Sequence, residues 1–344
     1  MRMKRIVIVT NSLTGGGAER AMNLISNALF RDGHQVTLIT INKSAFDLIR
    51  NECSVITLDR DNNSGMMGTA LALRAFVKSV MRIKPDVYFI NCDLPELFAC
   101  FLPFKSNIVV IEHANPAWST RKNFGKFVRQ ILRLRDVTFV AVSSHLRIWP
   151  TNFTPEWILP NIIPISQRVN FISGHYSQIR RLVFIGRLAR VQKRPDWILD
   201  IAKIAKLPAK FIGSGAELDS LKIKAGVLEV DTEFSGHILD PWKELRDGDL
   251  LIVPSSFEGD GLVILEAISN NIPFLVSDIS DFRRFHLQEE VYCKNIEDFA
   301  DRISVYSNRL DELIVPIDNA ARILDSRGIH KVLEKWNSLL SKFV

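Results

Sequence analysis

Residues Arg5–Ile41 read RIVIVTNSLTGGGAERAMNLISNALFRDGHQVTLITI. Arg5–Thr10 is apolar and β-branched at nearly every position, as a strand buried on both faces of a parallel sheet must be. A glycine-rich turn follows. Ala18–Phe30 is amphipathic at helical spacing and closes at Asp32-Gly33. Gln35–Ile41 is a second apolar run. Strand, helix and strand in this order make a βαβ unit, which commits the chain to an α/β fold.

The same alternation continues outward. A helix is predicted over about Gly68–Ile83. It stops before Pro85, which cannot continue the hydrogen-bond ladder and restricts its predecessor. Strands are predicted at Asp86–Asn91, Asn107–Glu112 and Val137–Ser143. Gln167–Arg180 has no clear period and reads as a linker. A second series follows, with strands at Arg181–Gly186, Ala209–Ile212, Asp249–Pro254 and Pro273–Asp278 and a weaker one at Glu290–Cys293. Its helices are Pro195–Ala205, Ala216–Gly226 and Gly261–Asn270. Ile329–Phe343 is amphipathic and is expected to pack back across the domain junction. The organisation predicted is an α/β pair of doubly wound, Rossmann-like domains, residues 1–166 and 167–325, with a C-terminal helix over 326–344. A ligand is expected in a cleft between the two halves.

Composition narrows the class. Of 344 residues, 47% are hydrophobic and 24% charged, which excludes disorder and collagen-like fibres. Cys53, Cys92, Cys100 and Cys293 form neither a CxxC pair nor a His-linked metal spacing, so a reducing cytosol is expected. No apolar run reaches the roughly 18–20 residues of a membrane span, and Ile6–Val9 is shorter than a signal-peptide core of about 7–15.

The charge is uneven. Through Ile165 there are 20 basic and 12 acidic residues, 20 − 12 = +8, and the remainder carries 24 − 26 = −2. A basic first half points to an anionic partner. Its densest cluster is Arg121, Lys122, Lys126, Arg129, Arg133 and Arg135. Phe124, Phe127/Val128, Ile131 and Leu134/Arg135 recur there at helical spacing. This predicts a helix with one apolar face and basic flanks, suited to an anionic membrane surface. Nucleic acid is disfavoured by the acidic second half.

Three stretches carry chemistry. Thr14-Gly15-Gly16-Gly17-Ala18-Glu19-Arg20 joins the first strand to the first helix, where glycines with φ > 0 would let backbone approach a ligand and the helix N-terminus would meet an anion. It is not the GxGxxG dinucleotide fingerprint. Gly186-Arg187-Leu188, followed by Lys193, ends the first strand of the second half, and a guanidinium plus an ammonium suits a diphosphate. Ser255 to Ala267, SSFEGDGLVILEA, follows a buried strand. Glu258 falls in its loop and Glu266 in its helix, with Gly259 and Gly261 leaving bare N–H groups for phosphate. Asp59-x-Asp61 and Asp247-x-Asp249 have the spacing of a metal-binding DxD pair; they read as a polar loop and as a turn before a strand.

In this order, Gly15-Gly16-Gly17-Ala18-Glu19-Arg20, Glu112-His113, Gly186-Arg187-Leu188…Lys193 and the Glu-x7-Glu element Glu258…Glu266 span nearly the whole chain. The set resembles the GT-B glycosyltransferases of family 4, which are retaining and use nucleotide-sugar donors, and among them the bacterial enzymes that extend lipid-linked or surface glycans. The resemblance implies that Gly16 and Gly17 approach the donor diphosphate, and that Arg187 and Lys193 neutralise it as leaving group. It implies backbone N–H groups near Gly261, Leu262 and Val263 on the phosphates and Glu266 on the ribose hydroxyls. Glu258 would hydrogen-bond the donor sugar, and His113 would face the transferred sugar. Family members often carry an aromatic or apolar residue where this chain has Asp260.

The function expected is retaining, front-face transfer from a nucleotide diphosphate sugar, UDP first, to a lipid-linked or envelope glycan. No cofactor and no metal are expected, and the place is the cytoplasmic face of the membrane. The alternatives are a nucleotide-sugar 2-epimerase of the same architecture and a non-catalytic sugar-nucleotide binding protein.

Overall fold

The computed structural model describes residues 2–13, 16–43, 51–61, 64–113, 117–118, 121–164 and 178–343. Most of the predicted linker, and Gly15 of the first motif, lie outside these residues. The chain divides into two units, Met1–Ile162 with Ile329–Val344, and Ile163–Gly328.

The first unit contains β1 (Arg5–Thr10), α1 (Gly17–Arg31), β2 (Gln35–Asn42), β3 (Ser54–Arg60), α2 (Gly65–Ile83), β4 (Val87–Asn91), α3 (Asp93–Ala99), β5 (Ile108–Glu112), α4 (Lys122–Arg133), β6 (Thr138–Ala141) and β7 (Trp157–Ile158). Its seven strands are parallel in the order β3-β2-β1-β4-β5-β6-β7. Alternate strand side chains divide between the two faces. Val7, Val9, Ile39, Ile41, Ile90 and Val110 share one core with Phe76 and Val80 of α2, Phe98 of α3 and Val128 and Leu132 of α4. So α2, α3 and α4 cover one face of the sheet.

The second unit contains β8 (Arg181–Ile185), α5 (Arg190–Lys193), α6 (Pro195–Ala205), β9 (Ala209–Ile212), α7 (Leu218–Leu228), β10 (Thr232–Gly236), β11 (Asp249–Val253), α8 (Leu262–Ser269), β12 (Phe274–Ser277), α9 (Ser280–Arg283), β13 (Tyr292–Cys293), α10 (Ile296–Val305) and α11 (Ile317–Leu324). Its six parallel strands run β10-β9-β8-β11-β12-β13. Caps set the helix ends where the sequence offers them. Pro195 opens α6, where its missing N–H costs nothing, and the Asn295 side chain accepts from the Asp298 N–H at the start of α10. The chain then returns to the first unit as α12 (Ile329–Leu340). Trp336 of α12 meets Phe89 at 4.6 Å between ring centroids, and Asn337 reaches His34 at 3.2 Å.

The architecture is the expected pair of doubly wound parallel sheets. Sequence reasoning passed over β3 and β10, which are edge strands and only half-buried. With one side in solvent they keep polar residues and lose the apolar run that marks a central strand. One consequence is a correction. Asp59 belongs to β3 and not to a polar loop; its backbone turns left-handed there, at φ 48°, one residue before the strand ends.

Candidate active site

In both sheets the strand order reverses beside the first strand of the unit, and successive crossovers leave in opposite directions. Ligands of open α/β sheets bind at the carboxyl ends of strands at such a reversal. In the second unit the reversal lies between β8 and β11. The loops that leave those two strands carry Arg187 and Lys193, and Ser255 to Gly261 respectively.

These loops are bonded together. The Ser256 N–H donates to the Gln192 carbonyl at 2.8 Å and its hydroxyl to the Val191 carbonyl at 2.6 Å. Across this seam the Lys193 ammonium contacts the Glu258 carboxylate directly. The Ser255 hydroxyl donates to the same carboxylate oxygen at 2.7 Å, and the Glu258 N–H donates to Asp281 at 2.7 Å. Glu258 is buried and Lys193 half-buried, so the pair sits at the rim and not on the open surface. Arg187 is exposed and follows the end of β8.

Glu258 leads into α8 through Gly261, whose φ is +65°. A Cβ there would lie 3.1 Å from the Phe285 ring, a tight contact, and an L side chain is strained in that conformation, so both favour glycine. The N–H groups of Gly261, Leu262 and Val263 thus begin α8 at the sheet's carboxyl end, where a helix N-terminus favours an anion. Glu266 lies about one turn further in, buried, and its carboxylate accepts from the Trp242 indole N–H at 2.9 Å.

Asp260 does not face solvent. It is buried and takes a two-pronged ion pair from Arg327, at 2.6 and 2.7 Å. Arg284 donates to the Asp260 carbonyl at 2.7 Å and lies over the Phe285 ring at 4.4 Å. Burial pulls the Arg284 guanidinium below its usual pKa, against the opposing attraction of Asp260. The glycine loop is therefore held by two arginines. Of the other DxD pair, Asp249 is committed to Arg181 through two bonds of 2.7 and 2.8 Å.

In the first unit the reversal lies between β1 and β4. Gly16 precedes α1 with φ −174°, an extended backbone open to any residue, and Gly17 begins the helix. The expected left-handed conformation is absent at both. His113 follows β5 directly and is half-buried. Its neighbour Glu112 is buried with Glu96 around Arg129. The Arg129 guanidinium donates to Glu96 at 2.6 and 2.9 Å, to Glu112 at 2.6 Å and to the Trp149 carbonyl at 2.6 Å. Burial pushes the Glu112 carboxyl up to about 7 against the pull of Arg129. Burial would lower the Arg129 guanidinium, but the two carboxylates outweigh it and keep it charged.

Arg129 of the basic cluster is thus an internal counter-ion, and α4 packs through a face that apolar spacing does not mark. The face of α4 that packs on the sheet is Gly125, Val128, Arg129 and Leu132. Of the predicted apolar stripe, Phe124, Phe127 and Leu134 are exposed and Val128 is buried. Gly125 is there because any side chain would strike Trp118, a Cβ falling 2.2 Å from Cγ. Neither a glycine nor a charge-paired arginine counts as apolar, so hydrophobic periodicity does not mark the packed face.

Sequence reasoning also missed Ser255, Trp242, Asp281, Arg284 and Arg327. Ser255 lay beside the motif it supports. The others lie 23 to 67 residues from the glutamates and aspartate they contact, and nothing local marks them.

Residues 179–308 match the family model Glycosyl transferases group 1. The chain is 23% identical to an uncharacterized glycosyltransferase of Haemophilus influenzae, over 98% of this chain and all of that one. It is 24% identical, over 99% of each chain, to the Campylobacter jejuni GalNAc-alpha-(1->4)-GalNAc-alpha-(1->3)-diNAcBac-PP-undecaprenol alpha-1,4-N-acetyl-D-galactosaminyltransferase. Among solved structures, Anabaena HepE in complex with UDP and glucose superposes with a TM-score of 0.79 at 15% identity, over 98% of this chain and 99% of that one. The chain is a glycosyltransferase of GT-B fold, and its residues 179–308 match the Glycosyl transferases group 1 model.

Proposed function

We propose that the protein transfers a sugar, with retention at the anomeric carbon, from a nucleotide diphosphate to a hydroxyl of a lipid-linked or envelope glycan at the cytoplasmic face of the membrane. The observation that carries this reading is the joining of Lys193 and Glu258 beside the N-terminus of α8, on two loops that leave adjacent strands. An anion-binding helix end, a cation and a sugar-binding carboxylate then share one strand-order reversal. UDP is the first candidate nucleotide. The resemblance to HepE, solved with UDP and glucose, and the undecaprenol-linked substrate in the Campylobacter relative's name support the donor and acceptor classes.

In this reading Arg187 and Lys193 offset the diphosphate charge together with the N–H groups of Gly261, Leu262 and Val263. Glu266, held by Trp242, binds the ribose hydroxyls. Glu258, held by Ser255 and paired with Lys193, binds hydroxyls of the donor sugar. The roles of Gly16, Gly17 and His113 rest on the family resemblance. The acceptor oxygen forms its bond to the anomeric carbon on the side from which the sugar–phosphate bond breaks. The bond's electrons pass to the departing phosphate oxygen, which also takes the acceptor's proton. Such a step needs fixed positive charge at the leaving group more than a protein nucleophile. Protein cations and amides supply that charge, so activity is expected to persist in a chelator.

The test is a set of UDP-, GDP- and ADP-sugars, read first by thermal shift and then by product. A donor that binds raises the unfolding midpoint. Lys193→Ala and Glu258→Ala are expected to lower turnover by orders of magnitude while both variants stay folded. Near-wild-type turnover in both would sink the assignment. Release of a free epimeric sugar with no glycosylated acceptor would favour the epimerase reading instead.

A further inference from the structure

Four consecutive residues of the glycine loop, Glu258 to Gly261, are met one by one from a single segment that follows β12. The carboxylate of Asp281, in α9, accepts the Glu258 N–H at 2.7 Å. Arg284, the residue after α9, donates through Nη2 to the Asp260 carbonyl at 2.7 Å and to the Gly259 carbonyl at 3.4 Å. Its Nε donates to the Asp281 carbonyl at 2.7 Å. The rings of Phe282 and Phe285 flank Gly261, at 3.6 and 3.1 Å from where a Cβ would stand. The Arg284 guanidinium lies over the Phe285 ring, so it is itself braced where it meets the loop.

A trans peptide group is planar, and its C=O and N–H point in opposite directions. The peptide bonds of this loop are trans. A carbonyl captured on one side therefore sets the N–H of the next residue on the other. By taking the Gly259 and Asp260 carbonyls, Arg284 turns the N–H groups of Asp260 and Gly261 away from itself. With a glycine on either side of Asp260, these peptide planes could otherwise turn over at little steric cost. The Gly261 carbonyl accepts from the Ile264 and Leu265 N–H groups at 3.0 and 3.1 Å and closes the first turn of α8. The Gly261 N–H is thus among the donors that a helix start leaves without an internal partner.

We propose that Arg284 is a positioning residue for the donor diphosphate, acting without touching it by fixing the direction in which the Gly261 N–H faces. The proposal rests on the donor site described under the proposed function and deepens it by naming the part that orients its backbone donors. The role differs from that of Arg327. Arg327 grips the Asp260 side chain with bonds of 2.6 and 2.7 Å and leaves the peptide planes on either side free to turn. Arg284 grips the planes themselves. A guanidinium is needed for this, because the carbonyls of Asp260 and Asp281 are met by different nitrogens of one rigid fork. A lysine ammonium offers a single nitrogen.

The experiment is calorimetric titration of the full chain with UDP and with uridine, for wild type, Arg284→Met and Arg284→Lys. Both variants retain the Arg327 pair with Asp260 and are expected to fold. Uridine carries the ribose hydroxyls assigned to Glu266 and no phosphate, so it reports on the rest of the donor site. Arg284→Met is expected to bind UDP about tenfold to a hundredfold more weakly, the range for one hydrogen bond to a charged group, and to bind uridine as wild type does. Arg284→Lys keeps the charge and loses the fork, and is expected to match Arg284→Met. A measurement on wild type alone does not depend on the variants: with nitrogen-15-labelled glycine, the Gly261 amide resonance is expected to move with UDP and to stay in place with uridine. The proposal is overturned if Arg284→Met binds UDP as wild type does, or loses UDP and uridine in equal proportion. It is equally overturned if Arg284→Lys binds UDP as tightly as wild type, or if the Gly261 amide ignores UDP that does bind. In each of those cases UDP still binds wild type, and the donor reading stands. If wild type binds neither UDP nor GDP nor ADP, the donor reading falls and this proposal falls with it.

Discussion

Replacing Arg129 by Met is the sharpest test of how the first unit is built. The guanidinium is 1% exposed, and its partners Glu96 and Glu112 are 2% and 1% exposed. Removing one partner of a buried ion pair costs about 3–5 kcal/mol, because the surviving charge is left in a poor solvent. Here two carboxylates survive, with the Trp149 carbonyl also losing its donor. For a unit of 178 residues, 162 + 16, each kcal/mol lowers the midpoint by about 2–4 °C, so a fall of about 6–20 °C is expected. The pH dependence has a definite sign. The Glu112 carboxyl sits at about 7 when folded, above its ordinary value of 4.5, so the folded state holds a proton that the unfolded state releases. Its contribution to stability is therefore full at low pH and is lost as pH rises from about 4.5 through 7. Without Arg129 the carboxyl rises further and the loss extends to higher pH. Differential scanning calorimetry between pH 5 and 8 reads both effects. The triple variant Glu96→Gln, Arg129→Met, Glu112→Gln removes every charge and should recover much of the loss. A midpoint for Arg129→Met within a degree of wild type at every pH would refute the argument.

Gly261→Ala places a methyl group 3.1 Å from Phe285 at φ +65°. It should cost about 1–2 kcal/mol and weaken the thermal response to UDP, and an unchanged response would separate the α8 N-terminus from nucleotide binding. Trp242→Phe removes the indole donor to Glu266 and should raise the donor KM several-fold with little change in kcat; equal KM values for wild type and Glu266→Gln would remove Glu266 from the donor site. Asp260→Asn turns one of the two acceptors facing Arg327 into a donor and should destabilise by about 3 kcal/mol. Because Asp260 sits between Gly259 and Gly261 in the loop that leads to the proposed phosphate site, donor KM should rise more than kcat falls, and a variant with wild-type midpoint and KM would show the pair to be idle.

How legible each part was depended on whether its cause was local. β1, β8 and β9, and the helix α6 opened by Pro195, follow from apolar runs and a helix-starting residue that are adjacent in the chain. The edge strands β3 and β10 did not stand out, because a strand with one open side carries polar residues. In the site, Glu258, Gly261 and Glu266 were readable from one loop and one helix. Their supports were not: Trp242, Asp281, Arg284 and Arg327 act across loops that only folding brings together. The inner face of α4 was not legible because its buried members include a glycine and an arginine.

Alternating buried strands and amphipathic helices, with glycines and charges where strands end, were enough to establish an α/β chain of two doubly wound halves and a phosphate-seeking chemistry, since each of these signals is carried by neighbouring residues. The tertiary structure alone decided that Asp260 is spent on Arg327, that Arg129 is a buried counter-ion and not a lipid contact, and that α2 turns its methionines and arginines outward. Those outcomes depend on which distant side chain occupies the space beside each charge, and burial without a partner costs too much for a charge to be left unpaired.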